Sequence, residues 1–381
     1  MFVKKDYVIL RQKFTSLREI YNLMVLKNAI KSIVLSVMTL FFVTAAHAGH
    51  GAKEDAEFNV VETIMHHIKD AHEWHVLGDV TFNLPIILID NGVKTFSSSE
   101  FYHGVAKTDS VTNNTYLVAT GKGAGYAMFH EKIYKTNENG ELAFDKEHVV
   151  SEKPYDFSIT KNTTSMLMGA IIILLIMFST ARFYKKNGAV APKGVAGFIE
   201  PLIIFVRDDI AKGCIDIHKY HRFVPYLLTI FFFILINNIT GLIPLFGANL
   251  TGNIAVTVVL ACLTLVVTVF SGNKNYWRHI FATPGVPVPL LIIMMPIEVI
   301  GIFTKPFALT VRLFANITAG HIIILSLISI IFLNKSAAWG FLSVPMALFI
   351  SVLEILVAFL QAYLFTMLSA LFIGAAVEEA H

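Results

Sequence analysis

Charged residues are scarce in this sequence, and from long stretches they are missing altogether. Only 15% of the 381 residues are Asp, Glu, Lys or Arg, whereas soluble domains carry about 25%. None of the 51 residues from Phe223 to Asn273 is one of these four, which is enough chain for two bilayer crossings of about 20 residues each. The core of a soluble domain needs no uncharged run of that length. The sequence therefore predicts an integral membrane protein.

Other features are rare or missing, and each excludes a class of protein. The only two cysteines, Cys214 and Cys262, have no metal-ligand spacing, and residues 49–164 contain none, which excludes disulfides there. The net charge is only +3 and the basic residues are scattered, whereas a nucleic-acid partner requires a concentrated basic face. No H-E-x-x-H metal motif and no G-x-x-x-x-G-K-S/T phosphate-binding loop occurs. We therefore expect no nucleic-acid partner, no cofactor, no bound metal and no catalytic residue.

The N-terminal segment has the composition of a secretory signal. Lys27 and Lys31 precede an apolar run that ends in Ala46-His47-Ala48, a small-x-small cleavage pattern. We predict that residues 1–48 are a signal peptide and its n-region. The polar residues before Met24 are either an extended n-region or the result of a misassigned start codon. The alternative is an uncleaved membrane anchor, although an apolar run of about 14 residues is short for a span.

Residues 49–164 differ in character, because charges return and β-rich runs alternate with turns. Runs such as Val80–Leu84 and Tyr126–His130 are broken by the Asn-Gly turn pairs Asn91-Gly92 and Asn139-Gly140. This pattern predicts a small exported domain with β character. Its start, Phe58–Val76, has a helical period instead. It carries four histidines, which fit either a metal site or a polar helix face: His66, His67, His72 and His75.

The remaining chain, residues 165–381, is predicted to be an all-α multi-pass membrane domain. Five membrane helices are expected, at about 165–184, 223–245, 253–271, 287–333 and 340–377. Arg182, Lys185 and Lys186 cluster at the C-terminal end of the first of them, and the positive-inside rule holds these cations in the cytoplasm. Residues 49–164 are then periplasmic, the C-terminus is cytoplasmic and the membrane is the cell inner membrane. We expect residues 194–212 to form a helix at the inner membrane surface, and Lys274 and Arg278 to lie in a cytoplasmic loop.

The last two helices are too long to stand upright. About 45 residues from Pro289 onward would form about 65 Å of helix, and the apolar slab is about 30 Å thick. Either this segment crosses twice or it is one tilted helix, and we favour the single helix, bent at Pro296 and Pro306. We predict a long tilted C-terminal hairpin that turns within residues 334–339. Counting outward from this turn places Arg312 level with Gln361 and His321 level with Glu354.

Among the 99 residues from His279 to Val377, five side chains are formally charged: Glu298, Lys305, Arg312, Lys335 and Glu354. Arg312 stands out because inserting an Arg into a membrane helix costs at least about 2.5–3.5 kcal/mol. Since a guanidinium stays protonated in proteins, Arg312 cannot relay protons. It can attract a carboxylate and block the passage of cations. A snorkelling arginine would need a nearby helix end, and more than 20 uncharged residues follow Arg312.

His321 and Glu354 can both gain and lose protons, so as a facing pair they favour a proton relay, although each alone fits a satisfied structural group equally well. Nine residues of helix place His321 about 180° around from Arg312. Glu298 lies about 21 Å before Arg312 towards the cytoplasmic end and can line an inner route. Lys305 lies between them and can instead neutralise Glu298. Neutral hydrogen bonding within the bundle is expected from Asn237, Asn238, Asn316 and Gln361.

Three motifs resemble one family. The run from Lys305 to His321, K-P-F-A-L-T-V-R-L-F-A-N-I-T-A-G-H, resembles the signature helix of the a subunit of F-type ATP synthases. Residues 360–368, L-Q-A-Y-L-F-T-M-L, are similar to the last helix of that family, and Asn237–Pro244 to its earlier hairpin. The resemblance covers about residues 165–381. Residues 49–164 depart from the compact pattern of the family, and we infer no function for them from it.

The resemblance implies a proton-channel stator of the Fo sector. Arg312 would engage the carboxylate of the rotating c-ring, His321 and Glu354 would belong to an outer half-channel, and Glu298 to an inner one. The implied partners are the c-ring, the b-type peripheral stalk subunits, the F1 sector and the lipid bilayer. The coupling ion stays open between H⁺ and Na⁺, and a titratable His321 favours H⁺.

Two other classes fit the sequence less well. A secondary transporter would show repeated halves or paired short helices interrupted by Gly, and neither pattern is found. An intramembrane enzyme would need a nucleophile and a base, or clustered metal ligands, and no such group is found.

Overall fold

The structure is a computed structural model that describes residues 60–77, 80–90, 92–109, 112–145, 148–188, 190–192, 194–243, 249–281 and 287–379. Apart from Leu77, these residues belong to one compact unit. The predicted signal peptide, residues 1–48, lies outside the described residues, so it stays a prediction.

Residues 60–159 form a β-rich domain, which confirms the predicted β character. Its helices are α1 (Val60–Ile68) and α2 (Ser99–Tyr102). Its strands are β1 (Glu73–Leu77), β2 (Val80–Asn83), β3 (Pro85–Ile89), β4 (Val93–Ser97), β5 (Val105–Thr108), β6 (Thr115–Val118), β7 (Tyr126–Phe129), β8 (Lys132–Lys135), β9 (Phe144–Asp145), β10 (His148–Val149) and β11 (Tyr155–Asp156).

The strands form two main antiparallel sheets, β11-β3-β4 and β5-β6-β7-β8, with β1-β2 and β9-β10 as further pairs. Ile86 lies opposite Phe96, and Met128 lies opposite Ile133. One face of each sheet contributes to a shared core with the fully buried Phe101 of α2. The apolar alternation along β3 is what turns Ile86 and Leu88 inward.

The predicted helix over Phe58–Val76 is wrong in its second half. Helix α1 ends at Ile68, and residues from Glu73 onward form β1. Asp70 ends the helical course because its carboxylate accepts hydrogen bonds from the N–H groups of Ala71 and of Asn162, 92 residues away. This long-range contact and the pairing with β2 override the local helical period.

Five helices are long and apolar enough to span a membrane, as predicted. They are α3 (Lys161–Asn187), α6 (Tyr220–Leu242), α7 (Ile254–Ser271), α9 (Val288–Leu333) and α10 (Gly340–Val377). Helix α3 begins four residues before the predicted start because Thr160 caps it, its hydroxyl accepting a hydrogen bond from the N–H of Thr163. These helices establish an integral membrane protein of multi-pass helical character.

Short helices connect the long ones. Residues 195–214 form α4 (Val195–Ile204), a π-helical segment (Phe205–Ala211) and α5 (Lys212–Cys214), which agrees with the predicted helix in this region. The predicted loop bearing Lys274 and Arg278 is instead helix α8 (Lys274–Phe281). It is amphipathic, since Ile280 is buried whereas both cations are exposed, and burial of that apolar side stabilises the helix.

Helix α9 is a single helix of 46 residues that runs through Pro296 and Pro306, so the alternative of two crossings is wrong. Helix α10 has 38 residues. They are joined by Asn334–Ser336 and a 3₁₀ turn at Ala337–Trp339, within the predicted turn. Lys335 adopts φ 46° there, a conformation that reverses the chain and ends α9.

The end of α10 is fixed by hydrogen bonds to two other helices. Lys219 and Asn273 both donate to the carbonyl of Val377, at 2.9 and 2.7 Å, and Lys219 pairs with Glu379. These donors satisfy carbonyls that a helix end leaves free. The start of α6, the end of α7 and the end of α10 therefore lie at one end of the bundle, which we call the Lys219 end.

Candidate functional site

Helix α9 has two different faces along its middle turns. Leu309, Leu313 and Ile317 repeat every four residues, are at most 2% exposed and pack in the bundle core. Arg312 lies outside this buried stripe and is exposed. The repeat of four residues fixes which side of α9 faces the bundle, and it leaves the Arg312 side uncovered.

Arg312 makes no hydrogen bond or ion pair with any residue that the structure describes. Two of the exposed positions next to it on the helix surface, four residues before and three after, are alanines: Ala308 and Ala315. Ala319, one turn further on, is exposed as well. Asn316 is exposed beside Arg312. Small residues allow the backbone of a partner helix to approach closely in a membrane. The guanidinium therefore projects from a surface shaped for another helix.

His321 and Glu354 form the buried ionisable pair predicted from counting outward from the hairpin turn. His321 Nδ1 lies 2.7 Å from Glu354 Oε1, and the two side chains are 17% and 3% exposed. The ring also contacts two carbonyls, Ile317 O at 3.2 Å from Nδ1 and Gly241 O at 3.4 Å from Nε2. This contact confirms the predicted level of the two residues.

The surroundings of His321 allow two positions for the proton that the pair shares. Both ring nitrogens face acceptors, so the imidazolium can donate to Glu354 from one side and to the carbonyl of Gly241 from the other. A neutral ring satisfies the same contacts only if the Glu354 carboxyl is protonated and donates to Nδ1. The two arrangements hold the same number of protons and differ in whether the shared proton lies on His321 Nδ1 or on the Glu354 carboxyl, so it can transfer across the 2.7 Å contact with little movement.

Gly320 leaves room for the Glu354 carboxyl. A Cβ at position 320 would lie 2.7 Å from Glu354 Oε1, closer than real contacts allow, and 3.0 Å from its carboxyl carbon. Glycine at position 320 therefore leaves the carboxyl this position beside His321, and a larger residue would displace it. The sequence pattern contained Gly320, but only the packing gives it this role.

The predicted neutral polar residues have different settings. Asn238 is buried, donates weakly to Ala358 O at 3.4 Å and accepts from the Thr251 hydroxyl at 2.6 Å. Gln361 is 3% exposed and makes no hydrogen bond within the described ranges. Asn237 donates to Phe233 O and packs against Gly169 of α3. Asn238 thus joins α6 to α10, and Thr251 is a partner that sequence analysis missed.

Glu298 and Lys305 do not form an ion pair with each other, so no neutralisation of Glu298 by Lys305 is seen in the part of the chain described. Lys305 Nζ instead lies 5.4 Å from the centroid of the Phe372 ring. Glu298 lies near Tyr276 of α8: burial raises the pKa of the Tyr276 phenol, and the Glu298 carboxylate raises it further. Lys305 and Tyr276 line a small pocket with Thr264 and Thr268 of α7.

A chain of hydroxyl groups beside this pocket was also missed. Tyr226 donates to Thr264 at 3.0 Å, and Thr264 lies 3.3 Å from the hydroxyl of Ser369. The group joins α6, α7 and α10 inside segments without formal charge. A search for hydroxyl residues within the uncharged spans would have found its members, but not their contact.

The histidine-rich segment shows an ion pair and no metal cluster among the described residues. His72 is 3% exposed, and its Nδ1 lies 3.4 Å from Glu131 Oε2. Glu131 also accepts a hydrogen bond from the Tyr102 hydroxyl. The side chains of His66, His67 and His75 lie outside the described atoms, so the choice between a metal site and a polar face is not decided for them.

Comparison with known proteins gives two family matches. The profile of the family described as ATP synthase A chain matches residues 163–374. A second profile, described only as a domain of unknown function, matches residues 63–157. The boundary between the two matches falls between β11 and α3.

Three relatives illustrate the similarity. ATP synthase subunit a of Chloroherpeton thalassium is 52% identical over 239 residues, covering 60% of this chain and 71% of the relative. ATP synthase subunit a 2 of Chlorobaculum tepidum is 53% identical over 229 residues, 58% of this chain and 64% of that protein. ATP synthase subunit a 2 of Prosthecochloris aestuarii is 50% identical over 310 residues, 78% of this chain and 92% of that protein. Because the family profile matches more than half of this chain, the chain belongs to the a-subunit family of F-type ATP synthases.

Proposed function

We propose that this chain is the proton-conducting stator subunit of the Fo sector, and that Arg312 engages a carboxylate of the rotating c-ring between two half-channels. The observation that carries the proposal is Arg312 itself. It is an exposed cation without a described partner, inside a helix of 46 apolar-rich residues. Family membership supports the general role, and the residue roles are our own assignment.

We assign Arg312 an anionic partner from another chain. A guanidinium keeps its charge, so in the membrane it needs a carboxylate or water as partner. The alanines on either side of it leave space for a helix that carries such a carboxylate. As a rotor carboxylate approaches, the fixed positive charge favours its ionised form and releases its proton. Arg312 itself carries no proton.

The outer route runs through His321 and Glu354. They lie on the opposite side of α9 from Arg312 and nearer to the hairpin turn, the end opposite the Lys219 end. Because the shared proton can move between His321 and Glu354, the pair can receive a proton at one member and release one from the other. A titratable imidazole in the path favours H⁺ over Na⁺ as the coupling ion.

The inner route starts near Glu298. This residue lies 14 positions before Arg312, about 21 Å along the helix towards the Lys219 end. Tyr276, Lys305 and the threonines of α7 line the pocket on that side. The offset between Glu298 and His321 along α9 makes the two routes open to opposite sides, with Arg312 between them.

In this account the Lys219 end is cytoplasmic, and residues 49–164 are periplasmic in the cell inner membrane. Lys185 and Lys186 close α3 at its C-terminal end, which fits the positive-inside rule. The c-ring, the b-type stalk subunits and the F1 sector are the partners. The chain has no catalytic residue of its own, and ATP is made in the F1 sector.

The proposal is tested by ATP-driven proton pumping in inverted membrane vesicles that contain the complex. Arg312→Ala is expected to lower pumping by at least about 100-fold; the scale is the roughly 2.7–4 kcal/mol lost when one preorganised donor is removed from an enzyme oxyanion hole. Arg312→Lys should also fail, since a compact ammonium has different reach and can deprotonate when desolvated.

The control is Lys335→Asn at the hairpin turn, which removes a cation while tolerating the positive φ of that position. It should pump at the wild-type rate. Wild-type pumping by Arg312→Ala in assembled complexes would disprove the assigned role.

A further inference from the structure

A groove opens on the side of the bundle away from Arg312. Helices α7, α8 and α9 enclose about 380 Å³, within the roughly 300–1,000 Å³ typical of small-molecule sites. All its lining side chains are apolar or aromatic, and they include Val266, Val269, Phe270, Trp277, Phe281 and Phe303. No charged group lines the groove itself.

The position of the groove separates it from the proposed rotor surface. Its contributors from α9 are Val299, Ile302 and Phe303, which lie about 80–180° around the helix from Arg312. Val266, Phe270 and Phe303 are 48%, 85% and 64% exposed, so the groove opens outward. On a membrane helix, such an opening faces lipid or another subunit.

Two cations lie at the rim of this groove. Lys274 and Arg278 of α8 are exposed, and neither has a hydrogen bond or ion pair within the residues that the structure describes. Lys274 is three positions before Trp277, and Arg278 is three before Phe281, so each cation adjoins a groove-lining ring on the helix surface. Trp277 and Phe281 stack at 6.0 Å between centroids.

The placement of these groups matches the parts of a phospholipid. An amphipathic helix with Trp and Tyr lies at the boundary between headgroups and acyl chains. Arg and Lys bind phosphate through charge-assisted hydrogen bonds. The apolar groove below is suited to an acyl chain.

We propose that the groove binds one anionic phospholipid, with an acyl chain against Trp277 and Phe281 and the phosphate held by Lys274 and Arg278. Complementary charge selects this occupant over a zwitterionic lipid, because two unpaired cations favour a headgroup with net negative charge. The bound lipid would fill the space between α7 and α9 beside the inner route. The proposal does not depend on the proton path.

Trp277 is a built-in probe for this site, since the chain has three tryptophans in all. The full-length chain is placed in phosphatidylcholine nanodiscs that contain a small fraction of dibrominated phosphatidylglycerol or, in parallel, dibrominated phosphatidylcholine. Bromine quenches a tryptophan only on contact. Subtracting the quenching of Trp277→Phe isolates the contribution of position 277.

Brominated phosphatidylglycerol is expected to quench Trp277 at concentrations about fivefold or more below those needed for brominated phosphatidylcholine. In Lys274→Gln/Arg278→Gln the two lipids should quench equally. The matched control, Lys185→Gln/Lys186→Gln, removes two exposed cytoplasmic-side cations remote in sequence and should keep the preference. All four positions are exposed, so folding is preserved.

Two outcomes would overturn the proposal. Equal quenching by both lipids in the wild-type chain would mean that the groove has only ordinary lipid solvation. No quenching by either lipid would mean that a protein segment covers Trp277.

Discussion

Arg312 and Glu354 are both ionisable residues of apolar helices, but their surroundings differ. Arg312 is exposed without a partner that the structure describes, whereas Glu354 is 3% exposed and held by His321. Exposure leaves the charge of Arg312 available to another chain. Burial beside His321 lets Glu354 hold a proton within this chain. Their difference in burial supports a division between a fixed charge and a relay.

At the scale of residues, the sequence predicted those contacts that follow from counting residues along a helix or outward from the hairpin turn. Helix period and distance from the turn placed His321 beside Glu354 and on the opposite side from Arg312. Contacts that depend on three-dimensional packing were not predictable, such as the space left by Gly320 and the hydrogen bond from Thr251 to Asn238. Gly320 and Asn238 belong to recognisable motifs, but a motif does not report which side chain each residue contacts.

Removing His321 should disable the relay, whereas exchanging His321 and Glu354 should preserve part of its function. His321→Ala leaves Glu354 buried without its partner, a loss of about 3–5 kcal/mol when the carboxylate stays ionised, so Glu354 will hold its proton. We expect ATP-driven pumping to fall at least about tenfold, which corresponds to 1.4 kcal/mol. The double variant His321→Glu/Glu354→His keeps an acid and an imidazole in contact and should pump several-fold faster than His321→Ala. Equal rates for wild type and His321→Ala would exclude the relay.

Glu131 makes the β-rich domain sensitive to acid. Burial would raise the pKa of its carboxyl, but hydrogen bonds from His72 and Tyr102 outweigh burial and lower the pKa. The stabilisation is therefore complete above about pH 4.3, the ordinary value for Glu, and is lost as pH falls through the lower folded-state value. Glu131→Gln removes about 1–3 kcal/mol of this stabilisation.

Hydrogen exchange of β7 and β8 in the full-length chain measures this effect. At pH 7 these strands should exchange about tenfold faster in Glu131→Gln than in wild type, and the difference should narrow in acid. Glu138→Gln, an exposed neighbour on the same domain, should match wild type. A difference that stays constant from pH 7 to pH 3 would contradict the assignment to ionised Glu131.

At the scale of elements, the length of segments with few charged residues was the most reliable predictor of the helices. It predicted the five long helices and the single course of α9, because a polar loop cannot be placed within lipid. The helix predicted over Phe58–Val76 failed because β1 pairs with β2, and Asp70 contacts a residue 92 positions away. Local period cannot report contacts at that separation.

The β7-β8 hairpin shows a second limit. Its turn uses His130 and Glu131 with φ 49° and 62°, positions where Asn-Gly is the usual choice. Glu131 there reaches His72, so a contact with another element offsets the unfavourable backbone. The sequence alone contained no turn pair at this site.

Gly320 should be required for the hairpin to hold the relay. Gly320→Ala places a methyl group 2.7 Å from Glu354 Oε1 and forces the carboxyl away from His321. We expect pumping to drop at least about tenfold while the helix remains folded, since Ala favours helix over Gly by about 0.8–1.0 kcal/mol. The measurement is proton pumping normalised to assembled complex.

Gly340→Ala is the matched control in the same hairpin. Its added methyl group would meet Ile331 at 3.7 Å, an ordinary contact. It should pump as wild type does. Full activity in Gly320→Ala would show that the carboxyl does not need this space.

At the scale of the whole molecule, two regions with separate family matches meet at the start of α3. Lys161 N–H donates to Ala71 O, and Asp70 accepts from Asn162, which joins the β-rich domain to the membrane helix. Helix α1 also packs against α9. The sequence predicted the β character of the first region, but the pairing of eleven strands could not be derived from local patterns. A domain joined so directly to the bundle must lie on the side of the membrane where α3 begins.

Cysteine labelling tests the orientation of the molecule. In a Cys214→Ser/Cys262→Ser background, Glu138→Cys should react in intact spheroplasts with a maleimide that cannot cross the membrane. Lys186→Cys should react only in inverted vesicles. Both positions are exposed, so access to solvent is matched. Reaction of position 186 in intact spheroplasts would reverse the proposed topology.

The central claim is that the charge of Arg312 keeps the outer and inner routes apart. In vesicles stripped of the F1 sector, a crosslink between the rotor and this chain should stop passive proton flow in the wild type. With Arg312→Ala the barrier to cations is gone, so protons should cross at a measurable rate even with the rotor crosslinked. The measurement is the decay of an imposed pH gradient with and without the crosslink. A crosslinked Arg312→Ala complex as proton-tight as the crosslinked wild type would contradict the account.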